Sequence, residues 1–100
     1  MAISSEMADD GTRLTISVSG RFDFSAHKDF RDSYEEVERP QVYTVDLGDT
    51  SYLDSSALGM LLLLRDHAGG DSGSVEIVNC NADVRKILTI SNFEQLFTIH

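Results

Sequence analysis

Asp54-Ser55-Ser56 runs directly into Ala57-Leu58-Gly59-Met60 and an aliphatic stretch that ends at Leu64. A carboxylate and two hydroxyls ahead of an apolar run form the pattern of a helix start. The first N–H groups of a helix have no intrahelical partner and the dipole is positive there, so added negative charge is tolerated. The chemistry that suits a serine in that place is phosphoryl acceptance. Phosphate brings about −1.5 to −2 charges, which the helix end accommodates and a partner packed on a neutral serine does not. The plainer reading is that Asp54 or Ser55 caps the helix while Ser56 occupies its first turn.

Other reactive side chains form no such pattern. Asp46 and Asp49 flank the end of an apolar run, with no third group to make them an acid–base pair, and read as solvated turn residues. His27, His67 and His100 are scattered and lack Cys/His ligand spacing, which predicts no metal site. No Gly-x-Ser-x-Gly elbow surrounds Ser56 and no Gly-x-x-x-x-Gly-Lys loop is present, so neither a hydrolase triad nor a nucleotide phosphate site is expected. No catalytic residue and no cofactor is assigned.

Composition sets further bounds. One hundred residues with 41% hydrophobic content describe one small globular unit, residues 1–100. Seventeen acids against eight bases give a formal charge of −9, which argues against nucleic acid and against anionic membranes. Cys80 is the lone cysteine and suits a reducing compartment. The N-terminus reads as no signal peptide, and the apolar run Ala57–Leu64 is far short of the roughly 20 residues of a membrane helix. A cytoplasmic protein without membrane insertion is expected.

The elements that must position Ser56 follow from periodicity. Residues 1–11 read as a loose terminus or the start of an edge strand. Arg13–Ser19 alternates as a strand, Gly20 permits a tight connection, and Arg21–Phe24 reads as a second short strand. Ser25 is placed as N-cap of a helix through Glu38, with Glu36 and Glu38 on its solvated face, and Pro40 stops it. Val42–Leu47 is the central strand, Gly48–Leu53 a turn, and Ser56–His67 an apolar helix. Ser74–Val78 is a further strand, and Asn81 caps a helix over Ala82–Ile90. Phe93–Phe97 fits a helical turn and Thr98–His100 an edge strand. The order β-β-α-β-α-β-α plus a short C-terminal tail predicts an α/β domain, a mixed sheet with helices packed against it.

In this order of elements and in its central motif, the chain resembles the STAS domains of bacterial anti-sigma factor antagonists. The resemblance lies in Gly20-Arg21-Phe22-Asp23, Thr44-Val45-Asp46-Leu47, Tyr52-Leu53-Asp54-Ser55-Ser56-Ala57-Leu58-Gly59 and the segment Asn81–Ile99, and it covers nearly the whole chain. It implies a partner-switching role. An unphosphorylated antagonist binds an anti-sigma factor, often also a serine protein kinase of the GHKL fold. Phosphorylation of the second motif serine breaks the complex, and a PP2C-type phosphatase restores it. Carried onto this sequence, the resemblance makes Ser56 the phosphoacceptor. It places Asp54, Ser55 and the following Ala57, Leu58, Gly59 and Met60 in the partner-binding surface, with Asp23 as the acidic residue of the neighbouring loop. Ala57 departs from the glycine of many members and, as a better helix former, stiffens the turn. The alternative is a STAS subunit with a structural role in a larger complex, transporter-associated or stressosome-like, without phosphorylation.

Two points stay open on the residues. Asp54 serves as helix cap, as kinase contact, or as both, and Asp23 as loop cap or recognition residue. The helix after Ser56 is so apolar that Met60, Leu63 and Leu64 are either core or a docking patch beside the serine.

Overall fold

Period-two alternation gives each long strand one face for the core. The computed structural model describes residues 3–35, 37 and 40–100. Among these, β1 (Ile3–Met7), β2 (Arg13–Phe22), α1 (His27–Glu35), β3 (Val42–Leu53), α2 (Ser55–His67), β4 (Val75–Val78), α3 (Ala82–Ile90) and β5 (Thr98–Ile99) follow one another. Short 3₁₀ turns stand at Phe24–Ala26, Gly70–Ser72 and Phe93–Gln95. The sheet runs β1-β2-β3-β4-β5, with β1 antiparallel to β2 and the other neighbours parallel. Each parallel step is bridged by a helix, as parallel pairing requires.

Leu14, Ile16 and Val18 of β2, Tyr43, Val45 and Leu47 of β3, and Val75 and Ile77 of β4 form the buried face. Thr15, Ser17, Asp46, Glu76 and Val78 stand between them on the opposite, half-buried face. α1 meets the buried face through Phe30, whose ring lies 5.1 Å from that of Phe22. Ala57, Met60, Leu61 and Leu64 of α2 and Val84 and Leu88 of α3 complete the same cluster. The mixed α/β fold and its order of elements are those expected.

Several boundaries differ, each for a physical reason. The N-terminal segment is not loose: Ile3–Met7 pairs with β2 along its length, and Ile3 is buried in the core. Gly20 closes no hairpin. It sits inside β2 at φ +76, between two register shifts that let the strand continue to Phe22. Gly48–Leu53 is no turn but the second half of β3, paired with Ser19–Phe22. The buried Thr50 hydroxyl donates to the Val18 carbonyl at 2.8 Å and ties the two strands there. Ser25 caps nothing; Asp23 caps the turn before α1 by accepting the Ser25 N–H. α1 ends at Glu35, while Glu36 and Glu38 lie outside the described residues. Asn81 caps α3 as expected, its side chain accepting the Val84 N–H at 2.8 Å.

Candidate functional site

β2 and β3 end side by side, Phe22 opposite Leu53, and both side chains are fully buried. That anchoring brings two turns together, the one after Phe22 and the one after Leu53. The Asp54 N–H donates to the Phe22 carbonyl at 3.4 Å, linking them. Asp54 has the extended backbone of an N-cap, and its carbonyl accepts the Leu58 N–H to begin α2.

The Asp54 carboxylate takes two donors on one oxygen. Oδ1 accepts the Ala57 N–H at 3.0 Å and the Ser56 hydroxyl at 2.6 Å. The Ser56 hydrogen bond, with that from Ala57 behind it, holds Asp54 below the ordinary carboxylate range; the Asp23 carboxylate acts the other way. Asp54 is therefore ionised at neutral pH, as cap and as acceptor.

Asp23 is also held low, first by the Ser25 hydroxyl, with Arg21 adding to it. The Arg21 Nε stands 3.5 Å from Asp23, and the guanidinium lies over the Tyr52 ring at 4.5 Å from its centroid. Phe24 is 70% exposed, stacked on His27 at 5.3 Å.

Of the residues expected at the site, Asp23, Asp54, Ser55 and Ser56 share this rim. Ser55 is exposed and Ser56 half-buried. Leu58 and Gly59 follow on the partly open side of α2. Ala57 and Met60 do not belong to an accessible surface: they are 0% and 3% exposed because they face the sheet. Leu64 is buried as well, whereas Leu62 and Leu63 are exposed, so the apolar side of α2 that faces outward is carried by these two. Phe24, Tyr52 and Leu62 are exposed as well and stand outside the residues expected at the site. Alternation would put Phe24 on the buried face with Phe22, but β2 ends at Phe22 and Phe24 opens the 3₁₀ turn capped by Asp23, which leaves its ring outside.

No group of three His, Cys, Asp or Glu among the described residues is arranged to hold a metal ion. A groove of about 240 Å³ lies elsewhere, between β1 and α1, lined by Ile3, Ser4, Ser5, Asp29, Asp32 and Ser33. No helix among the described residues is long and apolar enough to cross a membrane.

The family model described as Mlab, STAS domain matches residues 5–98. The chain belongs to the STAS domain family. It is 62% identical over 100 residues to a STAS-domain containing protein of Pseudomonas aeruginosa (strain UCBPP-PA14), covering 99% of each. The STAS fold seen here superposes with TM-score 0.77 on an anti-sigma factor antagonist from Mycobacterium paratuberculosis, covering 98% of this chain and 85% of that one at 19% identity. It also resembles the Bacillus cell fate determinant SpoIIAA in its phosphorylated form, with TM-score 0.72 at 18% identity, covering 99% of this chain and 91% of that one. At these identities the likeness is one of fold: a single α/β STAS domain.

Proposed function

We propose that this STAS domain is a cytoplasmic anti-sigma factor antagonist in a partner-switching circuit, controlled by phosphorylation of Ser56. The observation that carries the reading is the Ser56 hydroxyl, half-buried in the first turn of α2 and hydrogen-bonded to the capping carboxylate of Asp54. Unphosphorylated, the rim of Asp23, Asp54, Ser55 and Ser56 binds the anti-sigma factor or a GHKL-type serine kinase. The exposed Leu62 and Leu63 supply apolar contact on the same helix. A phosphate on Ser56 puts a dianion beside two carboxylates, at the centre of that contact. The helix end and its dipole keep the domain folded, while the partner meets repulsion and a desolvation cost. Only this difference between the bound and free states works the switch. A PP2C-type phosphatase resets it.

Tandem mass spectrometry of the protein purified from its own cells tests the assignment. Phosphate on Ser56, removed by a PP2C-type phosphatase, is the expected result. In calorimetry Ser56→Ala should keep anti-sigma factor binding and Ser56→Asp should weaken it. Phosphate only at other residues, or equal affinities for the two variants, would sink the reading. A stable stoichiometric complex that forms without any phosphate would favour the structural-subunit alternative.

A further inference from the structure

The geometry points to Asp54 as the residue that positions the acceptor hydroxyl and selects Ser56 over Ser55. This inference rests on the phosphoacceptor reading and goes beyond it, from which serine is modified to what makes it reactive.

The two serines are adjacent, yet their hydroxyls have different surroundings. The Ser56 hydroxyl donates to Asp54 Oδ1 at 2.6 Å. The Ser55 hydroxyl, although more exposed, has no hydrogen-bond partner among the described residues. With its proton fixed on the carboxylate, the Ser56 oxygen has one rotamer and presents its lone pairs away from Asp54. Ser55 has no such constraint. Orientation of this kind is a large part of what phosphoryl transfer requires, since its transition state asks for alignment more than for covalent help.

The carboxylate is itself held from several sides. The Asp54 N–H is bound to Phe22, its carbonyl to Leu58, and Oδ1 also takes the Ala57 N–H. Asp23, the other carboxylate of the rim, is engaged by Ser25 and Arg21. Asp54 is ionised at neutral pH, because both donors favour its charged form.

In the transfer from ATP, the bond from Ser56 Oγ to the γ-phosphorus forms as the bond from that phosphorus to the bridging oxygen of ADP breaks. ADP leaves with the electron pair, and the Ser56 proton passes to the Asp54 carboxylate and then to solvent. A weak base suffices, because a loose transition state leaves the hydroxyl proton in place until late.

Asp54→Asn tests this, since asparagine caps helices as well as aspartate but cannot take the proton. Wild type and variant are incubated with ATP and an extract of host cells deleted for this gene, and Ser55 and Ser56 phosphopeptides are quantified over time. The expected result is a rate of Ser56 modification lower by about 10- to 100-fold at saturating antagonist, the lower part of the range for lost acid–base assistance. The preference for Ser56 over Ser55 should stay, because the asparagine Oδ1 still accepts the Ser56 hydroxyl. Asp54→Ser, which also caps but is too short to hold the hydroxyl, should slow Ser56 modification as well and in addition raise the share of phosphate on Ser55, and as a second variant it guards against a folding defect of the first. An unchanged rate in Asp54→Asn, or an unchanged Ser56 preference in Asp54→Ser, would overturn the inference. So would a loss confined to the antagonist concentration for half-maximal rate, which would make Asp54 a kinase contact only. Wild-type protein left unmodified at both serines would overturn the phosphoacceptor reading itself, and this inference with it.

Discussion

The Asn81 side-chain amide donates to the Thr50 carbonyl at 3.1 Å, while its own oxygen caps α3 through the Val84 N–H. One residue thus fixes the start of α3 against the strand that leads to the Ser56 turn. Thr50 is in turn tied to β2 through its hydroxyl and the Val18 carbonyl. Asn81→Ala removes the cap and the cross-link together and should destabilise the fold by about 1–2 kcal/mol in denaturant titrations. Asn81→Ser keeps a capping oxygen and loses only the amide donor, so it should fall between wild type and alanine.

Glu76 predicts how the fold responds to acid. On the half-buried sheet face its Oε1 accepts the Thr44 hydroxyl at 2.8 Å and pairs with Arg13. The Thr44 hydrogen bond, with Arg13 behind it, lowers the Glu76 pKa. A lowered folded-state pKa contributes stability that is complete above the unfolded-state value, near 4.5, and is lost as pH falls through the folded one. Wild type should therefore lose stability as pH drops below that unfolded-state value, and Glu76→Gln should show a shallower slope there. Thermal melts across a pH series measure both slopes.

The sheet was readable from the sequence wherever alternation was clean, as in Val42–Leu47 and Val75–Val78. It was not readable where pairing overrode local signals. Gly48-Asp49-Thr50-Ser51 has the composition of a turn, but parallel pairing with Ser19–Phe22 and the buried Thr50 hydroxyl hold it extended. Gly20 reads as a chain reversal and is instead absorbed by register shifts within β2. The candidate site was legible in its polar residues, because Asp54-Ser55-Ser56 carries a capping pattern. Its apolar part was not. α2 is aliphatic nearly all round from Ala57 to Leu64, so no polar residue marks which side faces water. Only packing shows that Met60 and Leu64 face in and Leu62 and Leu63 face out.

Neighbouring leucines on α2 should consequently give opposite results. Leu61 is 0% exposed, and Leu61→Ala should cost about 2–5 kcal/mol of stability through the cavity it leaves. Leu63 is 54% exposed, and Leu63→Ser should change stability by no more than about 0.5 kcal/mol. Its effect should appear in calorimetry with the anti-sigma factor, as weaker binding. A Leu63→Ser variant that binds like wild type would remove the outward leucines from the docking surface.

Gly59 separates stability from binding most cleanly. It lies inside α2 without a positive φ, and a Cβ built on it meets nothing within 4 Å. The fold has no steric reason to keep a glycine there, and helical glycine costs roughly 0.5–1 kcal/mol relative to alanine. Gly59→Ala should therefore raise the unfolding free energy by about that amount in chemical denaturation. Gly59 lies three residues beyond Ser56, on the same side of the helix. There the added methyl would hold a closely packed partner away from the serine. The same variant should bind the anti-sigma factor more weakly while unfolding at higher denaturant. If it is both more stable and equally tight in binding, the partner does not approach the backbone at Gly59, and Gly59 drops out of the contact surface.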